Sequence, residues 1–500
     1  MIALTSLGGD VVHSSVFKGT DGEFGLVRQA QGARLVVFAS GPAPWLSEFE
    51  GDASTWQGRT SLVCPLSARN AAALRSRCSW LRPRPLGLRT SAGFGDRIGR
   101  ATPGHLRAVR ATGCRIAPVV AQQSMREMVR TGRSAQTVVD EAMWGVFQEG
   151  WRDGYGADAD HLKSTLDIDT CLAAGFTCYT IDPGDHVQSG ADTASGPALR
   201  EAFDRLPWDR LEDCGTALLR RYVGRVFEVE DETIRFDEVS LGRAAVKYGA
   251  AVAHVVAMFR HLVQKAGVGA FELEVSVDET DTPTTHAEHY YVASELKRLG
   301  VSWVGLAPRY VGRFEKGVDY IGDLAAFDHD IAVHAAIART LGPYKLSLHS
   351  GSDKFKIYPI VARRCGGYVH LKTAGTSYLE ALRTIAALDP ELFREVYAFA
   401  RDHYDADRAT YHVSARLDRA PIGDAVPAAD LPALVDQFDA RQIFHVTFGS
   451  VLTAITADGA RRFYDRFMAA IDRNPEVYSR YLEVHFRRHL DPFVAGALTT

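Results

Sequence analysis

From residue 86 onward, apolar runs of strand length alternate with stretches whose apolar residues recur at helical spacing. The strand-like runs fall at 86–91, 115–121, 155–159, 177–181, 270–277, 302–307, 345–349 and 368–371. Helices are predicted between them at 135–147, 169–174, 288–299 and 331–341. In the 288–299 stretch, Val292, Ala293, Leu296 and Leu299 form the apolar stripe while Lys297 and Arg298 point outward. Eight such runs with helices between them predict an α/β fold of the (β/α)8 TIM-type barrel rather than an open doubly wound sheet.

The flanks read differently. Residues 24–27 and 34–39 are short β-rich runs, 67–80 is helix-like, and Leu81-Arg82-Pro83-Arg84-Pro85 interrupts both helix and ladder. We therefore expect an N-terminal β-rich or mixed unit over 1–85 and the catalytic barrel over 86–382. The gap between the fourth and fifth strands exceeds what one crossover helix needs, so a helical insertion is expected at about 187–240, with helices at 197–203 and 211–222. Helical periodicity at 387–403 and 459–471 marks 383–500 as a C-terminal helical extension.

Composition narrows the function classes. Lys and Arg number 57 against 61 Asp and Glu, a net charge of −4 without any block of like charges, which argues against a nucleic-acid or polybasic membrane surface. Apolar runs such as 250–259, broken by His254, are too short to span a bilayer, and MIALTSLGGD has no signal-peptide character. Seven scattered cysteines without a CxxC pair argue against a disulfide framework or a thiolate zinc cluster. A cytoplasmic protein acting on a small molecule is expected.

In a β/α barrel the reacting groups sit on the loops after the strands' C-terminal ends. Three of those ends carry a histidine, His161, His349 and His370, and neutral imidazoles beside carboxylates suit a divalent cation such as Zn, Mn or Ni. His186 is a fourth candidate ligand. Period-2 geometry places Glu272, Glu274 and Ser276 on one strand face. Glu274, nearer the strand's end, is the expected acid/base group, with Glu272, Glu279 and Asp182 as alternatives; Asp160 beside His161 is the other. The loops 350–354 and 372–377 offer small residues and lysines to an anion, and the expected substrate-binding set is Gln123, Asp182, Arg309, Ser350, Lys354 and Lys372. The run Gly93-Phe94-Gly95-Asp96-Arg97-Ile98-Gly99 is GxGxxxG, not the dinucleotide fingerprint GxGxxG, and no P-loop, HExxH or GxSxG is present.

Long ordered blocks carry a resemblance: GFGDRIGRATPGH (93–105), AQQSMRE (121–127), GADADHLK (156–163), FELEVSVDETDTPTT (271–285), APRYVGRFEKGVDYIGD (307–323), KLSLHSGSDKF (345–355) and HLKTAGTSYLEAL (370–382). Over roughly residues 85–415 the chain resembles the tagaturonate epimerase family. The resemblance implies a divalent-metal-dependent isomerase of hexuronate catabolism that interconverts D-tagaturonate and D-fructuronate. It puts the metal on His161, His349 and His370, with Asp160 as proton acceptor and Glu274 as proton donor. Competing readings are a metal-dependent aldolase or neutral ketose epimerase on the same barrel, and a non-catalytic sugar-acid binding protein.

Overall fold

A computed structural model describes residues 9–29, 32–41, 43–56 and 58–496; the first eight residues, on which part of the leader expectation rests, lie outside it. Each of the eight apolar runs contributes a strand buried on both faces, because one face meets the barrel interior and the other the surrounding helices. The strands are β6 (Ser91–Gly93), β7 (Ala117–Ser124), β8 (Gly156–Leu162), β9 (Cys178–Ile181), β12 (Glu272–Ser276), β13 (Gly305–Ala307), β14 (Lys345–Leu348) and β15 (Val369–Lys372). They close in chain order as a parallel barrel, β15 pairing with β6.

The first strand begins later than the apolar run at 86–91 suggests. The backbone amides of Leu86 and Gly87 donate to the carboxylate of Glu272, with 2.6 Å from the Leu86 nitrogen, so this segment anchors on Glu272 at the start of β12 before the ladder starts. Glu272 is thereby committed to structure, well away from the strand ends that carry the chemistry.

Before the barrel lies a five-stranded antiparallel sheet in the order β1-β2-β3-β5-β4, made by β1 (Asp10–Lys18), β2 (Gly22–Gln29), β3 (Gly32–Ala39), β4 (Asp52–Trp56) and β5 (Arg59–Cys64). Its inner residues Phe24, Leu35 and Leu62 belong to the same continuous core as the barrel and the C-terminal helices. The insertion between β9 and β12 holds the expected helices, Gly196–Asp204 and Gly215–Tyr222. It also holds a hairpin of β10 (Val226–Val229) and β11 (Glu232–Arg235), then the 29-residue helix Glu238–Ala266. The hairpin escapes a periodicity reading because its strands are four residues each and largely exposed. Beyond β15 the chain is helical, ending in Pro475–Gly496, which packs against Thr102–Ala111 and Thr376–Leu388. Among the described residues no helix is long and apolar enough to cross a membrane.

Candidate active site

The buried centre of the barrel mouth is a lysine among acids. Lys372, the last residue of β15, places its Nζ 2.9 Å from Asp158, 2.8 Å from Asp160 and 3.1 Å from Glu274, and donates to Thr180 Oγ1 at 2.7 Å. All three carboxylates are buried. One ammonium cannot neutralise three carboxylates, so the cluster keeps an excess of negative charge. Burial pushes Asp158 up to about 6 despite the attraction of Lys372. Asp160 is also opposed by burial, but Lys372, His349 and His161 hold it well below the usual carboxylate range.

Adjacent residues of a strand point to opposite faces, yet Asp160 and His161 both reach the site. The ladder between β8 and β9 shifts register between Ala159 and Leu162, and His161 has φ +53°; this bulge turns both side chains to the same side. His161 Nδ1 lies 3.0 Å from Asp182 Oδ2, whose other oxygen accepts the Gly184 amide at 2.8 Å. A carboxylate on Nδ1 fixes the tautomer and leaves the Nε2 lone pair facing inward. That Nε2 meets His349 Nε2 at 2.8 Å, and Asp160 Oδ1 is 3.4 Å from the same His349 atom. His349 Nδ1 faces Glu274 at 3.5 Å and Asp278 at 3.9 Å. Burial would lower the His349 imidazole, but Asp278 and Asp160 drive it up to about 10.

This donor set fits a divalent cation. Asp160, His161 and His349 offer ligand atoms within 4.8 Å of one another, as do His161, Asp182 and Glu279. The surplus of buried carboxylate and the two facing imidazole nitrogens are groups a dication would satisfy, its binding displacing any proton between the rings. His370 lies on β15 two residues before Lys372, its Nδ1 2.8 Å from Ser91 Oγ, which Lys345 also contacts at 3.0 Å, and Glu274 and Asp160 of the cluster act on its charge. His186 stacks on His254 with ring centroids 4.2 Å apart, outside the cluster.

Beside His349 opens a cleft of about 340 Å³ lined by Asp278, Glu279, Arg309, Lys316, Ser350 and Tyr411, among others. Its volume lies in the range of about 300–1,000 Å³ common to small-molecule sites. The cleft carries both signs of charge: Asp278, Glu279 and Glu315 line it together with Arg309, Arg313 and Lys316. Lys316 Nζ donates to Ser350 Oγ at 2.9 Å.

Several expected binding residues sit elsewhere. Lys354 is fully buried, and its Nζ donates to the carbonyls of Glu315, Val318 and Ser352 at 2.8, 2.6 and 2.9 Å; it holds the loop and does not enter the cleft. Gln123 turns to Glu127 at 3.2 Å, whereas its neighbour Gln122 donates to Asp160 Oδ2 at 2.9 Å. Asp182 orients His161. The hydroxyls of Thr373 and Ser377 donate to the Gly93 and Gly95 carbonyls at 2.7 Å each, so the 372–377 loop is packed against the first barrel loop, not poised for an anion. Gly95 belongs to the GxGxxxG run, and a Cβ on it would come within 2.8 Å of Ala374, which accounts for that glycine without a dinucleotide. Sequence reasoning missed Asp158, Lys316 and the 411–414 segment. Only Asp158 was findable, as the i−2 neighbour of Asp160 on one strand face.

The family model described as tagaturonate epimerase matches residues 13–493, nearly the whole chain. The chain belongs to the tagaturonate epimerase family. It is an enzyme of the isomerase class. A Thermotoga maritima tagaturonate/fructuronate epimerase is 42% identical over 468 residues, covering 94% of this chain and 93% of that protein. The native crystal structure of fructuronate-tagaturonate epimerase UxaE from Cohnella laeviribosi superposes with a TM-score of 0.92 at 36% identity, covering 98% of both chains. The same protein with one glycerol bound gives 0.91 at 36% identity over 97% of this chain and 96% of that one.

Proposed function

We propose that this tagaturonate epimerase family member interconverts D-tagaturonate and D-fructuronate with a divalent cation held by His161 and His349. The observation that carries the reading is the pair of facing imidazole nitrogens, 2.8 Å apart, among buried carboxylates and beside a cleft that also holds Arg309, Lys316 and Ser350. A uronate would place its carboxylate at Lys316, Ser350 and Arg309 and its polyol toward Asp160, His161 and His349. Lys354, tied to three carbonyls, leaves the carboxylate to Lys316.

The inverted carbon bears a hydroxyl β to the ketone, so its C–H is not acidified by enolisation. A retro-aldol route avoids that bond. Asp160, kept ionised by Lys372, takes the hydroxyl proton; the C–O bond becomes C=O as the C–C bond toward the ketone breaks, its electron pair passing into an enediolate. The aldehyde turns over its face and the C–C bond re-forms. The proton then returns to the new alkoxide, with Glu274, 3.1 Å from Lys372 and 3.5 Å from His349, as relay. A bound divalent cation would supply Lewis acidity to the ketone and stabilise the enediolate charge. His349 stands between Asp160 and Glu274 and fixes their spacing.

Incubation with D-tagaturonate deuterated at the inverted carbon tests the reading. The expected product is D-fructuronate with the deuterium retained. Washout of label into water would exclude retro-aldol cleavage, and no conversion by the metal-replete enzyme would exclude the substrate.

A further inference from the structure

Away from the barrel mouth, three side chains on two neighbouring helices converge. His286 opens the helix His286–Arg298, and Asp330 and His334 lie one turn apart on Leu324–Leu341. His286 Nε2 is 3.2 Å and His334 Nε2 is 3.5 Å from the same oxygen, Asp330 Oδ1, and all three atoms lie within 4.8 Å of one another. A tetrahedral zinc with metal–ligand bonds of about 2.0–2.1 Å spaces its ligand atoms about 3.3–3.4 Å apart, between those two distances. We propose that His286, Asp330 and His334 form a second divalent-cation site of the zinc class, structural in role.

The groups behind the three ligands are arranged as metal ligands require. Asp330 Oδ2 accepts the Val311 amide at 3.1 Å, which leaves Oδ1 as the inward atom. His334 Nδ1 meets His289 Nδ1 at 2.8 Å, and His289 Nε2 meets the Tyr344 hydroxyl at 2.8 Å. A cation on His334 Nε2 would select the tautomers in which His334 donates from Nδ1 and His289 from Nε2. His334 Nε2 is buried, in a residue with no exposed surface, and faces Asp330 Oδ1 at 3.5 Å without a hydrogen bond. His286, with 28% of its side chain exposed, gives the path from solvent. A third buried group, Asp353 with His485 and His489, also holds an unpartnered nitrogen, His485 Nε2, but it has a guanidinium beside its carboxylate and one imidazole nitrogen already engaged. Arg441 occupies Asp353 Oδ2 at 2.9 Å, and His489 Nε2 already accepts the Asp353 amide at 3.0 Å.

The cation would clamp the two helices whose preceding loops line the cleft. The loop before His286 carries Asp278 and Glu279, and the one before Leu324 carries Arg309 and Lys316. The site rests on none of the residues assigned to the barrel mouth.

Equilibrium dialysis of the full-length protein against zinc buffered at nanomolar free concentration, followed by elemental analysis, tests the proposal. His286→Gln and Asp330→Asn are the comparison variants; the asparagine keeps an acceptor for the Val311 amide. Wild type is expected to hold one zinc per chain more than either variant, whatever the barrel mouth binds. With cobalt in place of zinc, wild type should show a tetrahedral absorption component that both variants lack. Equal zinc content in wild type and both folded variants would overturn the proposal, as would a cobalt spectrum unchanged by either substitution.

Discussion

His161 Nε2 and His349 Nε2 face each other across 2.8 Å although the two residues lie 188 positions apart in the chain. Asp182 fixes one ring through its Nδ1, and Asp278 and Glu274 flank the Nδ1 of the other. The orientation of both rings thus depends on carboxylates behind them.

Replacing Asp182 by Asn removes the carboxylate that sets the His161 tautomer. Metal affinity should fall about 10- to 100-fold, the usual cost of losing such a partner. His161→Ala and His349→Ala should abolish tight binding, while His370→Ala should weaken it less, because His370 sits against Ser91 and Lys345. Metal titration of the four variants checks this; equal loss in His370→Ala would place His370 among the ligands.

Lys372→Met should be the most destabilising single change at the barrel mouth. It strands Asp158, Asp160 and Glu274 without their shared cation, and breaking a buried ion pair costs about 3–5 kcal/mol. A large drop in thermal midpoint, partly recovered in Lys372→Met/Asp158→Asn, is expected; a midpoint near wild type would contradict the charge balance described.

The two lysines of the loops after β13 and β14 should separate by kinetics. Lys316→Met should raise KM for the uronate, at least tenfold, far more than for the matching neutral ketose. Lys354→Met should lower stability through three unsatisfied carbonyls. Equal KM effects of Lys316→Met on both substrates would remove it from carboxylate binding.

The eight strands were legible because burial on both faces gives short apolar runs that turns and helices separate cleanly. The positions of Asp160, His161, His349 and Glu274 followed from where those runs end. What was not legible depends on direction rather than place. A bulge, not period-2 alternation, turns His161 inward, and the parity of Gln122 and Gln123 is decided by the same ladder irregularities. Lys354 and Lys372 look equivalent as loop lysines, but only one meets carboxylates. The segment Tyr411–Ser414 reaches the cleft through tertiary packing alone: Ser414 Oγ donates to Glu315 at 2.6 Å, and Gln442 binds the same carboxylate at 3.0 Å.

Stability should fall in acid through His105. It is fully buried, its Nε2 is 2.8 Å from Ser377 Oγ, and burial pushes it down to about 3, Asp96 opposing the shift. Because Ser377 donates its own proton to the Gly95 carbonyl, His105 donates from Nε2 and stays neutral. Its folded value lies below the unfolded one of about 6.5, so the unfolded chain binds the extra proton first. The contribution is complete above about pH 6.5 and is lost as pH falls toward 3. Denaturant midpoints from pH 7 to 5 should fall less steeply in His105→Gln; an unchanged slope would show that His105 does not contribute.

Uronate epimerisation is proposed to depend on a divalent cation between His161 and His349. Conversion of D-tagaturonate to D-fructuronate, followed chromatographically before and after EDTA treatment and again after adding Mn, Ni or Zn, tests it most directly. Conversion should disappear with chelation and return with metal. Conversion that survives complete metal removal, verified by elemental analysis, would contradict the account.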